Sequence, residues 1–246
     1  MDEHWLTRSE WLLGADALEQ LHKSRVLVAG LGGVGAYAAE MLARAGVGSF
    51  LLVDNDCVTL TNRNRQLLAL ESTMGKQKTD VMAARLHDIN PQIEVETVNL
   101  YIDESTASGI VSSRPLDYIV DAIDTLSPKI ALICTALERG IPLVSSMGAG
   151  AKRDATMVRL ADISKSYNCP LAYMLRKRLR KMGIQKGFQA VFSTELPDPN
   201  ALVLCEERNK KSQVGTISYL PAVFGCVCAQ GVIDGLLLSV LQKELS

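Results

Sequence analysis

A glycine-rich turn holds the first residues of this sequence that could do chemistry. Gly30, Gly32, Gly33 and Gly35 follow an apolar, strand-like run and precede a helix-like one. Glycines in that context let main-chain N–H groups approach a phosphate, and the positive end of the following helix favours its charge. Asp54 comes about 20 residues later, where a carboxylate can accept hydrogen bonds from ribose hydroxyls. The turn therefore predicts a nucleotide site, without separating a redox dinucleotide from ATP.

Polar residues further along the chain separate these two ligands. Asn62, Arg65 and Lys78 lie beyond the second strand-like segment, and Asp124 follows the fourth. In a doubly wound sheet such positions meet in one crevice at the carboxyl edge of the strands. Two converging cations suit a triphosphate, with Asp124 as a ligand for Mg²⁺, whereas a nicotinamide needs an apolar slot. The residues favour an adenylating site, and an NAD-dependent oxidoreductase is the alternative that the turn and Asp54 alone would support.

Alternating strands and helices are predicted to position these residues. Apolar runs predict strands at 25–30, 49–54, 93–98, 118–121 and 142–145, and helical spacing predicts helices at 9–23, 34–45 and 75–90. This order is typical of an α/β protein with a Rossmann-like, doubly wound, mostly parallel sheet. We expect an ATP-binding adenylation domain over 1–150. Residues 151–246 should then form a basic segment and an apolar C-terminal helix at 214–241, an extension that completes the active site within the same globular unit.

The charge of the chain is balanced overall but uneven along its length. The 246 residues include 26 Lys+Arg and 27 Asp+Glu, a net charge of −1, which gives no general affinity for nucleic acid. Residues 152–186, however, hold ten basic residues against two acidic ones, a local charge of +8. Such a patch can neutralise several phosphates, although a solvated helix face is the other interpretation. The candidates for contact with RNA are Lys165, Arg176, Lys177, Arg178, Arg180, Lys181 and Lys186.

These residues, with several longer motifs, resemble a known family. The glycine turn, Asp54, Asn62, Arg65, Lys78 and Asp124 are similar to the ATP site of the ubiquitin-activating-enzyme-like superfamily. Over nearly the whole chain the sequence resembles one branch, the tRNA threonylcarbamoyladenosine dehydratases. The motifs that carry this likeness are Asp121-Ala-Ile-Asp124, Ser127-Pro128-Lys129, Gly148-Ala-Gly150, Pro170-Leu-Ala, Val191-Phe-Ser-Thr-Glu195 and Val223-Phe-Gly225.

The resemblance implies a reaction and a role for each site residue. Members of the branch use ATP to adenylate the carboxylate of the threonylcarbamoyl group on adenosine 37 of tRNA, and ring closure then expels AMP. By resemblance, Arg65 and Lys78 hold the phosphates, Asp124 holds Mg²⁺ and Asp54 the ribose. Asp56, Asn62 and Lys129 are further candidate contacts with the nucleotide, and a surface position is the alternative for Lys129. Arg8 occupies the place of an arginine that crosses to the partner's ATP in a dimer.

The resemblance also implies partners and a location. We expect a homodimer that binds the anticodon arm of the modified tRNA through the basic segment. A monovalent cation and a cysteine desulfurase or sulfur acceptor are further expected associations. The six cysteines and the absence of a signal-peptide pattern predict a cytoplasmic protein with reduced thiols. The apolar stretch 212–233 contains Pro221 and several glycines, so we expect no integral membrane span and leave peripheral membrane contact open.

Two other functions stay open at this point. An activator of a ubiquitin-like sulfur carrier would carry out the same adenylation on a C-terminal glycine. The chain lacks the Cys-x-x-Cys pairs that often bind zinc in such activators, and Cys226-Val-Cys228 is a poor metal clip within a helix. A non-catalytic tRNA-binding protein with this fold could have lost Arg65, Lys78 or Asp124, but the sequence retains all three.

Overall fold

A seven-stranded sheet forms the centre of the molecule. The computed structural model describes residues 4–207 and 210–244. The strand order is β3-β2-β1-β4-β5-β7-β6, and every neighbouring pair is parallel except β6 and β7. The strands are β1 (Arg25–Ala29), β2 (Ser49–Val53), β3 (Glu94–Val98), β4 (Tyr118–Asp121), β5 (Leu143–Ser146), β6 (Val158–Asp162) and β7 (Gln189–Ser193). The predicted Rossmann-like, mostly parallel sheet is confirmed.

Helices cover both faces of this sheet, which explains why its central strands are apolar without alternation. The helices are α1 (Thr7–Leu13), α2 (Ala15–Lys23), α3 (Gly35–Arg44), α4 (Lys78–Ile89), α5 (Ala107–Ser112), α6 (Leu126–Glu138), α7 (Pro170–Lys181) and α8 (Tyr219–Glu244). One apolar cluster joins α2, α3, α4 and α8 to the sheet, and the other joins α5, α6 and α7. The two faces therefore have separate cores, with the carboxyl ends of the strands free to form a crevice.

The C-terminal helix α8 is a core element and not a separate tail. It packs on α3, where a Cβ at Gly225 would lie only 2.5 Å from the carbonyl oxygen of Val34. Only glycine fits such a close approach of two helices. Pro221 lies in the first turn of α8, where proline is tolerated, so the helix is continuous. Among the described residues it alone is long and apolar enough to cross a membrane, and more than half of Tyr219–Leu238 is buried in the protein.

Three features differ from the predicted elements. The single helix expected at 9–23 is two helices, because Gly14 adopts a φ of +83° between them. Strands β8 (Leu202–Glu207) and β9 (Lys210–Val214) pair antiparallel, and the C-terminal helix begins at Tyr219 and not at 214. The sheet also continues past residue 150 into β6 and β7. The two predicted segments therefore share one sheet.

Candidate active site

The glycine turn lies at the carboxyl end of β1, directly against the end of β4. Gly30 has a φ of +86°, and a Cβ there would lie 2.9 Å from the carbonyl oxygen of Ala122. A Cβ at Gly35, the first residue of α3, would lie only 1.8 Å from the carbonyl oxygen of Gly30. Both positions therefore require glycine, which keeps the start of α3 close to β1 and its N–H groups directed at the crevice.

Replacing Gly35 by alanine should open this turn. The carbonyl of Gly30 is main chain and cannot move aside, so we expect a loss of about 3 kcal/mol in the free energy of unfolding. For a chain of this length that corresponds to a fall in Tm of about 6–12 °C. Gly32→Ala is the matched control, since its Cβ would meet only the Gln66 side chain, at 3.7 Å. Thermal unfolding of both variants checks this, and equal Tm values would contradict it.

Asp54 ties the second strand to the glycine turn. One carboxylate oxygen accepts a hydrogen bond from Leu31 N at 2.6 Å, and the other accepts one from Asp56 N at 2.8 Å. Burial raises the pKa of Asp54, and the nearby Lys78 ammonium, 4.0 Å away, opposes that rise. The carboxylate is thus fixed beside the turn, at the position from which a nucleotide ribose would be contacted.

Lys78 begins α4 and directs its ammonium back to the same place. Its Nζ donates to Asp56 Oδ2 at 2.8 Å, and its main-chain N donates to Asp56 O at 3.1 Å. The residue is 4% exposed, whereas the Asp56 side chain is exposed. A buried ammonium close to the glycine turn can neutralise an anion bound there. The structure therefore brings together Asp54, Asp56 and Lys78 as the sequence predicts.

A tight turn after β2 supplies Asn62 and Arg65. Asn62 Oδ1 accepts a hydrogen bond from Thr59 N at 3.2 Å, which gives this buried residue a role in shaping the turn. The guanidinium of Arg65 donates to Thr61 O and Asn64 Oδ1, both at 2.9 Å. Arg65 O lies 3.5 Å from where a Cβ of Gly33 would be. The turn therefore lies alongside the phosphate-facing loop.

Gln66 is a site residue that the sequence analysis did not single out. Its Nε2 is the atom nearest to a Cβ placed at Gly32, and its buried Oε1 has no hydrogen-bond partner among the described residues. A buried amide oxygen without a donor is costly, which makes it available to a bound ligand. The only feature of the sequence that could have indicated Gln66 is its position next to Arg65.

Asp124 lies in the turn after β4, at the carboxyl edge of the sheet. The turn is held from below, because Asp121 Oδ1 accepts a hydrogen bond from Ile123 N at 3.2 Å. Asp124 itself is exposed at the carboxyl edge of the sheet, next to the glycine turn that contacts Ala122. This is the position predicted for a carboxylate that binds a metal ion together with phosphates.

The prediction for Lys129 needs correction. It is neither on the surface nor at the phosphates: it is 0% exposed, in the core beneath the crevice. Its ammonium donates to Asp121 Oδ2 at 2.7 Å, Ser145 Oγ at 3.1 Å and Ser146 O at 2.9 Å. Those three bonds use all three donors of a lysine, so none remains for a nucleotide.

The C-terminal extension closes one side of the crevice. Asn64 Nδ2 donates to Thr216 O at 3.0 Å, and a Cβ at Gly33 would lie 3.0 Å from Pro221 Cβ. Tyr219 Oη donates to Arg153 O at 2.9 Å. The start of α8 and the segment before it therefore contact the glycine turn, the Arg65 turn and the chain after β5.

Arg8 lies apart from the crevice of its own chain. It is exposed on α1, and the preceding Leu6 contacts Gly46, which comes just before β2. That end of β2 is the amino edge of the sheet, opposite the glycine turn. Arg8 therefore lies near the amino edge of the sheet, away from the glycine turn of its own chain.

The basic residues form a surface at the amino-edge end of α7. The exposed members are Lys165, Lys177, Arg178, Arg180, Lys181 and Lys186. Asn168 Nδ2 donates to Thr194 O, so the start of α7 lies at the carboxyl edge. At 1.5 Å per residue, 177–181 is about 10–17 Å from that edge. RNA bound here must span the length of α7 to reach the crevice.

Arg176 does not belong to this exposed surface. It is half-buried, and its guanidinium donates to both the carbonyl oxygen and the hydroxyl of Ser166. Arg176 therefore joins α7 to the loop that precedes this helix. The predicted contact of Arg176 with RNA is less favourable than that of its exposed neighbours, because its Nη1 is already bonded to a neighbouring loop.

Comparison with known proteins agrees with this geometry. A family model described as "ThiF family" matches residues 7–244. The chain belongs to the ThiF family. Since the match covers almost all described elements, the extension beyond residue 150 is part of the ThiF fold in this chain.

Two of the proteins similar to this chain match nearly its whole length, and a third matches part of it. A tRNA threonylcarbamoyladenosine dehydratase of Bacillus subtilis is 44% identical, over 98% of both chains. The solved structure of the Escherichia coli enzyme of that name in complex with ATP has a TM-score of 0.87 and 34% identity, covering 96% of this chain and 95% of that one. The molybdopterin-synthase adenylyltransferase of E. coli is 33% identical, but over 63% of this chain and 61% of its own.

Proposed function

We infer that this chain is an ATP-dependent tRNA threonylcarbamoyladenosine dehydratase. The observation that carries this inference is the 44% identity, over 98% of both chains, to the enzyme of that name from B. subtilis. The geometry supports it, because Asp54, Arg65, Lys78 and Asp124 surround one glycine turn that is suited to phosphates. ATP is the co-substrate, as in the solved complex of the E. coli enzyme.

In the reaction the carboxylate of the threonylcarbamoyl group attacks the α-phosphate of ATP, and pyrophosphate leaves. The mixed anhydride then closes within the nucleoside and AMP leaves, so that the nucleoside loses one water in total. The chain must neutralise charge at the phosphorus and hold the nucleophile close. We assign neutralisation to Arg65 and Lys78, and contact with the ribose to Asp54.

A magnesium ion fits this arrangement as a partner of the phosphates. Among the described residues no group of three or more His, Cys, Asp or Glu could bind a metal alone. Mg²⁺ in nucleotide enzymes typically takes one or two carboxylates and completes its ligands with phosphates and water. Asp124 would hold the ion, which would supply further charge neutralisation at the phosphates.

The basic surface at the end of α7 is the proposed site for the anticodon arm. Changing Lys177, Arg178 and Lys181 to Gln should weaken tRNA binding and lower the slope of log affinity against log salt by about 2. ATP affinity should not change, since the surface is remote from the crevice. A control triple removes the same charge from exposed cations elsewhere: Lys23, Arg114 and Arg139. Equal losses of tRNA binding in the two triples would contradict the assignment.

A homodimer would bring Arg8 to the second crevice. This proposal is supported by the exposed position of Arg8 at the amino edge and by the exposed apolar side chains of Trp11 and Leu12 on the same helix. A cytoplasmic location is consistent with the cysteines, of which Cys57, Cys134, Cys169, Cys226 and Cys228 are free thiols.

Mass spectrometry of nucleosides tests the function. Modified tRNA is incubated with the protein, ATP and Mg²⁺, and the threonylcarbamoyladenosine nucleoside should lose one water. An unchanged nucleoside would contradict the inference. Release of pyrophosphate with a ubiquitin-like carrier, and none with tRNA, would move the assignment to carrier activation, which the adenylyltransferase relative makes the second candidate.

A further inference from the structure

A buried lysine lies beside the crevice and has no role in the assignments above. Lys152 follows β5 and is only 3% exposed. Its ammonium donates to Ser193 O at 2.8 Å and to Asn168 O at 2.9 Å. It therefore joins three segments: the chain after β5, the loop before α7 and the end of β7. Lysine is rarely buried so completely unless an anion balances its charge.

The charge of this ammonium is only partly balanced. Both of its hydrogen-bond acceptors are neutral carbonyl oxygens. The carboxylate that acts on it, Glu195, is itself held by Arg153 N at 2.9 Å and Asp154 N at 2.8 Å. Burial lowers the pKa of Lys152, while Cys169 and Glu195 oppose that change. While Lys152 is protonated, its ammonium, held by two uncharged carbonyl oxygens, is a positive charge at this side of the crevice.

The backbone around Lys152 is strained. Ala151 and Asn168 have φ values of 59° and 53°, and they are the non-glycine residues with positive φ among those described. One precedes Lys152, and the other supplies its carbonyl acceptor. Strained residues of this kind persist where the surrounding contacts fix them, and they cluster at functional sites.

Lys152 lies on the β5 and β7 side of the sheet, away from the strands that carry the glycine turn and Asp54. Ser193 ends β7, which is two strands from β4 in the sheet, so Lys152 lies about 10 Å from the strand that carries the Asp124 turn. ATP is assigned to the β1, β2 and β4 side. The carboxyl ends of β5 and β7 are left for the second substrate.

We propose that Lys152 is a positioning residue for the nucleoside: it fixes the substrate side of the crevice, and its charge attracts the threonyl carboxylate. The proposal rests on the proposed function, because it assumes an anionic second substrate. It goes beyond that function in naming the side of the sheet and the charge that receive the substrate.

Two substitutions separate the charge from the structural contact. Lys152→Met removes both, while Lys152→Gln keeps a donor for the carbonyl oxygens and removes the charge. We expect both variants to lose about tenfold in kcat/KM for modified tRNA, because one positive charge is lost from the side of the crevice left for the substrate. The KM for ATP should stay within twofold, since ATP binds at the other strands.

The pH profile gives a readout that a purely structural residue would not change. Activity should fall at alkaline pH as Lys152 loses its proton, and both variants should lack this limb. Glu195→Gln provides a second test if the Lys152 variants do not fold. It removes an influence that raises the pKa of Lys152, so the alkaline limb should move to lower pH.

The outcomes distinguish this inference from the function. A wild-type protein that does not dehydrate the nucleoside would overturn the proposed function. An active wild-type protein whose folded Lys152→Gln variant keeps both kcat/KM and the alkaline limb would overturn the role of Lys152. An alkaline limb that does not move in Glu195→Gln would also overturn that role.

Discussion

Lys129→Met should be among the most destabilising single substitutions in this protein, with a loss of about 3–5 kcal/mol in the free energy of unfolding. The reason is that the substitution leaves the carboxylate of Asp121 in the core, where it is 0% exposed, without its counter-ion. The Asp121 carboxylate would keep the hydrogen bonds that it accepts from Ser145 Oγ, at 2.6 Å, and from Ile123 N. Thermal unfolding should show a fall in Tm of about 6–20 °C.

A double-mutant cycle separates the ion pair from loss of packing. Asp121→Asn keeps an acceptor for Ile123 N and removes the charge, so the double variant Lys129→Met/Asp121→Asn should regain at least half of the loss. Lys186→Met, at an exposed position, is the control and should change stability by less than about 0.5 kcal/mol. Additive losses in the double variant would show that Lys129 acts through packing alone.

Lys129→Met should also lower activity, because Asp121 holds the turn that carries Asp124. A carboxylate with no counter-ion would take a proton or draw in water, and either change disturbs its bond to Ile123 N. We therefore expect Lys129→Met to weaken adenylation even at temperatures where it is folded. The buried pair acts on the site from below, without touching the nucleotide.

The sequence was most informative where local pattern and chemistry agree. The strands are continuous apolar runs between helices, since burial on both faces leaves no alternation, and a parallel sheet follows from that order. The glycine turn could be predicted from its spacing, because the close approach of Gly35 to the carbonyl oxygen of Gly30 requires glycine. Asp54, Lys78 and Asp124 could be placed together because all carboxyl ends of parallel strands share one edge.

Other roles depend on contacts between distant segments, which no local pattern contains. Lys129 is the last residue of the Ser127-Pro128-Lys129 motif and could equally be a surface residue by its type, but its partners lie on β4 and β5. In the sequence Arg176 resembles its basic neighbours. Only the folded structure shows that its guanidinium donates hydrogen bonds to Ser166, in the loop before α7. Lys152 counted toward the charge of the basic segment, yet it is buried between β5 and β7. In each case the residue type was visible and its partner was not.

Asp124→Asn should reduce dehydration of the nucleoside by about a thousandfold or more while leaving the fold intact. The amide keeps the size of the carboxylate but loses its charge, so it binds Mg²⁺ poorly and leaves the phosphates less neutralised in the transition state. Thermal unfolding of Asp124→Asn and of the wild-type protein, measured side by side, separates a loss of activity from a loss of stability. Nucleoside mass spectrometry and pyrophosphate release, measured on the same samples, give the size of the effect.

Two comparisons make this result specific to the metal. Asp234→Asn changes an exposed aspartate on α8 away from the crevice and should keep full activity. Titration with Mg²⁺ should saturate the wild-type protein and should not restore Asp124→Asn, because the lost ligand is not replaced by more ion. If Asp124→Asn turns over within tenfold of the wild-type rate, Asp124 is not a ligand of the catalytic metal ion. Recovery at high Mg²⁺ would instead mean that the carboxylate raises affinity for an ion that other ligands can hold.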